Sequence, residues 1–448
     1  MIPVNFLVSE FRLNRLNALF GFDRHHTTLG REIVAGLTTF ATMSYIVVVN
    51  PAILAAAGIP EGPSFVATVL VATFGCYFMA LYANRPFAIA PYMGENAFIA
   101  YTVCKLLGFG WQTALAAIFI AGLLFIVMTG LRLRQWIVDG VPMSLRHSFA
   151  VGIGLFLTFI GLSETGFVRI GIPGAPVQAG NLLTHSVLVA MFGFVLIAIL
   201  AIRKVPGAIL LGIVITALFA FFFHTAAPPH TIVSTPPSIM PILWQLDFRG
   251  ALTWRAFPIV LTIFIMAFVD TMGTLIGLSA RAGFLDEQGR LPQIERPMMV
   301  DAITTCVAPV LGTTTAGVYI ESATGIEAGG RTGLSIVVTG TCFLLTLVLS
   351  PFVAAIPAQA FGPALIIVGL FMLAPISHID FGDYTESIPS FGVVVLMAFT
   401  FNIAIGICAG FVLYPIGKIA AKKPTHLKPG LWVLTALSLL FFIFYPYG

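Results

Sequence analysis

Phe257-Pro-Ile-Val-Leu-Thr-Ile-Phe-Ile-Met-Ala-Phe-Val-Asp270-Thr-Met-Gly-Thr-Leu-Ile-Gly-Leu278 is an apolar run broken by one charge. The run is long enough to cross a bilayer, whose hydrocarbon core takes about 20 helical residues. An ionisable side chain at that depth is costly and marks a functional position by default. A second acid stands in Gly312-Thr-Thr-Thr-Ala-Gly-Val-Tyr-Ile-Glu321-Ser-Ala-Thr-Gly325, where the density of glycine and threonine reads as a broken membrane helix. Two isolated acids near the midplane suggest a proton-coupled carrier.

The rest of the chain has the same character. Of 448 residues, 58% are apolar and only 9% charged, with a mean hydropathy of +1.01. A soluble domain carries about a quarter of its residues as charges, so this is a polytopic membrane protein with room for a dozen or more helices. The net charge of +4 gives nucleic-acid binding no support. The five cysteines, Cys76, Cys104, Cys306, Cys342 and Cys408, are scattered through apolar segments without a CxxC pair or metal spacing, and read as packing residues.

Apolar segments divided by Gly, Pro and charge fall into seven and seven. The expected organisation is a cytoplasmic lead (1–30), a first repeat (31–223), a polar, proline-rich loop (224–255), a second repeat (256–420) and a tail (421–448). In the tail, Leu431 to Tyr445 forms a further apolar segment that hydropathy does not assign as a span. Basic residues set the orientation. Arg12, Arg15, Arg24 and Arg31 precede the first span, Arg85 follows the second, Arg132, Arg134 and Arg146 flank the fourth and fifth, and Arg203 with Lys204 separates the sixth and seventh. All lie on one side if the N-terminus is cytoplasmic. Seven is odd, so the second half is inverted, which also puts Arg281, Arg290, Arg296, Arg331, Lys418, Lys422 and Lys423 inside.

The third span of each half is short and opens alike. Phe87-Ala-Ile-Ala-Pro-Tyr-Met-Gly-Glu95-Asn96-Ala97 and Thr315-Ala-Gly-Val-Tyr-Ile320-Glu321-Ser322 each run extended, then start a helix with polar residues. Inverted repeats with broken helices place half-helix N-termini at the midplane, where substrates and coupling ions bind.

These residues resemble the AzgA-like purine nucleobase permeases, within the nucleobase-cation and nucleobase-ascorbate transporter superfamily. The resemblance rests on Arg31-Glu-Ile-Val-Ala-Gly-Leu-Thr-Thr-Phe40, Val49-Asn-Pro-Ala-Ile-Leu54, Gly152-Ile-Gly-Leu-Phe156, Asn181-Leu-Leu-Thr-His-Ser-Val187, Asp270-Thr-Met-Gly-Thr-Leu-Ile-Gly277, Tyr319-Ile-Glu-Ser322 and Ala328-Gly-Gly-Arg-Thr-Gly-Leu334. It implies an all-α fold of about fourteen transmembrane helices in two inverted seven-helix repeats, with broken third and tenth helices and core and gate domains. It also implies import of purine bases with protons across the cell inner membrane by an elevator-type motion, no cofactor beyond the proton gradient, and binding and coupling by Asp270, Glu321 and Asn96. A homodimer is one assembly the sequence leaves open.

The chemistry stands without the resemblance. A purine is a flat ring with a mixed edge of donors and acceptors, matched by a carboxylate, an amide and apolar walls. Glu321, at a half-helix start, suits a substrate acceptor, because the helix dipole favours an anion there. Asp270 suits a proton carrier, and the two acids can share or exchange these roles. Thr274, one turn beyond Asp270, is placed to orient it or to bond its own helix. Glu95, Ala97, Ile320 and Ser322 complete the candidate lining. Three positions depart from the family pattern: Glu95 where an apolar residue is usual, Glu164 where Asn is usual, and Ile405, beside Asn402, where an acid is common. If Glu95 faces the substrate, a second acid favours donor-rich bases such as guanine and hypoxanthine over adenine; Glu164 reads as a surface residue. The alternatives are a transporter of the same architecture for sulfate or bicarbonate, or for xanthine or uracil. An enzyme finds no HExxH, no GxS nucleophile setting with a partner His at membrane depth, and no metal-ligand cluster.

Overall fold

In hydrocarbon every backbone N–H and C=O must be satisfied within the protein, and a helix does so within one segment. The computed structural model is accordingly helical through its apolar segments. It describes residues 17–131, 140–172, 175–287, 291–423 and 427–444. Arg12, Arg15, Arg132, Arg134 and Arg290 from the orientation argument, and Tyr445, lie outside the described residues.

In the first half, α1 (Leu29–Met43) and α2 (Ile46–Ala55) form one bent span, and α3 (Glu61–Phe78) is prolonged by a π-helical turn to Ala83. The strand β1 (Ile89–Pro91) leads into the short α4 (Met93–Ala97), which continues as a π-helix to Leu106. Then come α5 (Trp111–Gly130), α6 (Met143–Glu164), a hairpin of β2 (Val168–Ile172) and β3 (Ala175–Ala179), α7 (His185–Ile202) and α8 (Ala208–Phe222).

The second half repeats the succession. It has α9 (Phe257–Ala282), α10 (Glu295–Val310), β4 (Ala316–Val318), the short α11 (Ser322–Glu327), α12 (Gly333–Leu345), α13 (Ala358–Met372), α14 (Tyr384–Phe399) and α15 (Ile403–Ala420). A further helix, α16 (Pro429–Phe444), covers most of the apolar tail segment. Among the described residues, nine spans of at least 18 residues are apolar enough to cross a membrane, and α8, α14 and α16 are apolar but shorter. The fold is that of a multi-pass helical membrane protein. The β2–β3 hairpin is a local addition that hydropathy alone did not reveal.

Two groups of helices pack internally. α1 to α5 associate with α9 to α12, and α6 to α8 with α13 to α15. Each group has its own polar clamp. In the first, the fully buried Glu32 carboxylate on α1 accepts from the Thr27 hydroxyl (2.8 Å) and from the backbone N–H groups of Arg331 (2.9 Å), Thr332 and Ser335 (both 3.3 Å), so it caps α12 from a distant part of the sequence. In the second, Lys418 on α15, only 4% exposed, pairs with Glu386 on α14 at 2.5 Å, and Glu386 also accepts from Tyr414 (2.8 Å) and from Ser144 on α6. Joined to a charge, such bonds are stronger than neutral ones, and breaking one leaves a buried ion uncompensated.

Candidate functional site

The two broken helices meet where their extended lead-ins cross. β1 and β4 pair antiparallel, Ile89 opposite Val318, Ala90 opposite Gly317 and Pro91 opposite Ala316. The pairing is prolonged at both ends, because Tyr92 N–H donates to the Thr315 carbonyl (3.0 Å) and Tyr319 N–H to the Ala88 carbonyl (2.9 Å). The crossing needs glycine at 317: a Cβ there would stand 2.2 Å from the Tyr92 hydroxyl oxygen. Tyr92 and Tyr319 lie stacked beside it with ring centroids 6.3 Å apart, and the Tyr319 hydroxyl donates to the Pro91 carbonyl. Strand pairing satisfies the backbone that helix breaking leaves open, which is what permits non-helical chain inside a membrane protein.

Asp270 and Glu321 are both half-buried at this crossing and interact electrostatically with each other. Glu321 stands at the N-cap of α11 and accepts from the Tyr45 hydroxyl at 2.7 Å, so one of its oxygens is held while its neighbour Ile320 remains 54% exposed. The open space follows one face of α9. Asp270, Gly273 and Gly277 are three and four residues apart and share that face; a Cβ at Gly273 would meet nothing within 4 Å, and one at Gly277 only the Ile320 side chain at 4.0 Å. Between Ile259 and Phe268 the described side chains of α9 are buried apart from half-buried Phe264, whereas Ala280 and Arg281 beyond Gly277 are exposed. The crevice therefore opens toward the end of α9 that carries Arg281, which pairs there with Glu327 of α11 at 2.5 Å.

Behind the acids lies a buried polar layer. The Asn96 amide nitrogen donates to Asn50, its oxygen accepts from Thr314, and Asn50 in turn donates to Thr68 (2.7 Å) and Thr313 (3.0 Å). Thr271 donates to Asp301 and lies 3.3 Å from the Tyr92 hydroxyl. Glu95 is 3% exposed and aims at the Thr315 hydroxyl, yet neither carboxylate oxygen has a hydrogen bond of good geometry.

The sequence-based candidates thus separate. Asp270, Glu321 and Ile320 line the crevice. Asn96, Ala97 and Glu95 lie buried beneath it, and the Ser322 hydroxyl serves the crossing, accepting from Ala88 N–H at 2.9 Å. Thr274 is buried and makes no hydrogen bond to Asp270. Glu164 is half-buried and accepts from Tyr101 at 2.9 Å, tying the continuation of α4 to the end of α6. Beside it the Thr102 hydroxyl donates to the Phe401 carbonyl at 2.5 Å. Ile405 donates its N–H to the Asn402 side chain at the start of α15 (3.3 Å). A cavity of about 380 Å³ lined by Glu61, Glu164, Phe65 and Phe361 lies apart from Asp270 and Glu321. Sequence reasoning missed the roles of Tyr45, Asn50, Thr271 and Thr314. The one signal available was Val49-Asn-Pro, a lone amide in an apolar span.

Comparison with known proteins agrees with this architecture. The chain matches the permease family (Xan_ur_permease) over residues 30–412. It is 44% identical to putative permease MJ0326 of Methanocaldococcus jannaschii, over 96% of this chain and 97% of that protein. It is 39% identical to adenine permease AdeP of Escherichia coli, over 96% of each, and 35% identical to guanine/hypoxanthine permease PbuG of Bacillus subtilis, over 96% of this chain and all of that one. Among solved structures, the transmembrane domain of the cyanobacterial bicarbonate transporter BicA superposes with a TM-score of 0.63 at 16% identity, covering 85% of this chain and 97% of that one, a likeness of fold alone. With its helices, broken-helix crossing and full-length relatives in agreement, the chain belongs to the permease family, and is a membrane transporter rather than an enzyme.

Proposed function

We propose that the protein is a proton-coupled purine nucleobase permease of the cell membrane, N-terminus cytoplasmic, importing guanine and hypoxanthine, with adenine as the alternative base. The observation that carries the reading is the pair of half-buried carboxylates, Asp270 and Glu321, on an open crevice at the crossing of two broken helices. Among the described residues no basic side chain interacts with either acid. Two acids without a cation suit a ring that presents an N–H donor to Glu321, and oppose a sulfate or bicarbonate anion despite the fold shared with a bicarbonate transporter. Relatives named for adenine and for guanine/hypoxanthine stand at similar identity, which supports purines as the class.

An elevator-type motion is supported by the two internally clamped helix groups. The bonds joining α4's continuation to the second group, Tyr101 to Glu164 and Thr102 to Phe401, lie in the π-helix beyond the broken α4. Protonation of Asp270 relieves the cost of a charge in apolar surroundings, so loading it before the loaded unit moves links proton and base. The test is uptake of labelled hypoxanthine into liposomes holding the purified protein, under an imposed pH gradient, with unlabelled guanine, adenine, xanthine, uracil and sulfate as competitors. Gradient-driven uptake displaced by purines is expected. Displacement by sulfate, or uptake indifferent to the gradient, would overturn the reading.

A further inference from the structure

Glu95 is a buried acid of this region that the mechanism above leaves unused; the other, Asp301, accepts from the Thr271 hydroxyl. Its side chain is 3% exposed, neither of its oxygens makes a hydrogen bond of good geometry, and the fully buried Thr315 hydroxyl, in the lead-in to β4 from the other half, is the group Glu95 aims at. The titratable groups around it are Tyr92 on its own segment, Tyr319 on the other, Asp270 on α9 and Asp301 on α10. No lysine, arginine or histidine interacts with it among the described residues. A buried carboxylate without a counter-charge is untenable as an anion. A proton resolves the geometry, since it turns an acceptor-only group into one that can both donate to and accept from the Thr315 hydroxyl. A metal ion is a poorer fit, because it needs several converging ligands and, among the described residues, no group of three or more His, Cys, Asp or Glu side chains is placed to hold one.

We infer that Glu95 is a second proton site, buried behind the crossing of the broken helices and distinct from the crevice acid Asp270. The inference rests on the proton-coupled reading and deepens it. Glu95 is next to Asn96 and faces Thr315 of the other half, so a relative movement of the halves alters the contact between its carboxyl and the Thr315 hydroxyl. Opening that contact to water exposes the carboxyl and lets its proton leave.

The test counts protons moved per purine in liposomes by reversal potential, for the parent, Glu95→Gln and Glu95→Asp, with purine binding measured in each as a check on folding. Glu95→Gln copies the protonated shape and should bind purine while moving one proton fewer. One charge fewer corresponds to roughly a 50-fold loss of accumulation ratio per 100 mV of driving force. Glu95→Asp should keep the parental count. An unchanged count in Glu95→Gln overturns the inference and leaves the coupled reading intact. A parent that moves no protons with purine overturns both. Replacement of the proton by sodium, seen as a sodium-dependent and pH-independent count, overturns it in favour of a cation site, and loss of purine binding in both variants overturns it in favour of a binding role.

Discussion

Glu321→Gln isolates what a carboxylate does at the start of α11. One oxygen of Glu321 accepts from Tyr45, whose ring is 1% exposed, at 2.7 Å, and the half-buried remainder of the group faces the crevice. Glutamine offers one acceptor oxygen and one donor nitrogen, so it can satisfy either Tyr45 or a purine N–H with its oxygen, and not both. The lost bond is to a charged group, which is about 1.5–3 kcal/mol, or roughly 10- to 150-fold in Kd. Tyr45→Phe removes only the orienting donor, and water can reach a half-buried carboxylate in its place. Its cost should be that of an ordinary hydrogen bond, about 0.5–1.5 kcal/mol, or roughly 2- to 12-fold in Kd. Equilibrium binding of hypoxanthine by calorimetry in detergent, at one pH and without a gradient, measures both. Unchanged affinity in Glu321→Gln, or a larger loss in Tyr45→Phe than in Glu321→Gln, would refute the assignment of Glu321 as the substrate acceptor.

Asp270→Asn keeps shape and hydrogen-bonding capacity but removes the titratable proton, so gradient-driven accumulation should disappear while exchange of labelled for unlabelled base persists; normal accumulation would remove Asp270 from the coupling path. Gly273→Cys, introduced without the native cysteines, should react with a membrane-impermeant maleimide added to the face bearing Arg281 and be protected by bound purine, because nothing lies within 4 Å of a Cβ there. Labelling only from the opposite face would mean that the crevice opens the other way. Glu32→Ala orphans the backbone N–H groups of Arg331, Thr332 and Ser335, and at about 1–3 kcal/mol per buried group the loss should be at least about 3 kcal/mol, read as a fall in melting temperature in detergent. Purine affinity in the folded fraction should stay at the parental value.

Hydropathy and the positions of Gly, Pro and charge made the helical membrane fold legible, including the short third span of each half, because a bilayer permits so few backbone solutions. The crevice acids Asp270 and Glu321 were legible as charges in apolar surroundings. What was not legible was direction. Glu95 and Asn96 are adjacent to the site in sequence, yet the helical turn after β1 points both into a buried polar layer. Tyr45 and Asn50 act on residues more than 200 positions away, a proximity that no local pattern encodes. Glu164 read as a surface residue because an acid at a helix end usually faces water, whereas a tyrosine from the neighbouring π-helix reaches it here.

The pairing of β1 with β4 has a geometric consequence. An antiparallel pair has a local twofold axis perpendicular to the strands, and in this register it passes by Ala90 and Gly317, relating one half of the chain to the other. The halves are nevertheless not in the same shape: α4 runs on as a π-helix to Leu106, whereas α11 ends at Glu327. Giving each half the backbone of its counterpart about that axis builds a second structure from the first. Under the alternating access proposed above, the crevice beside Asp270 on α9 would close and a matching one beside the first span, α1 and α2, would open at the other membrane face.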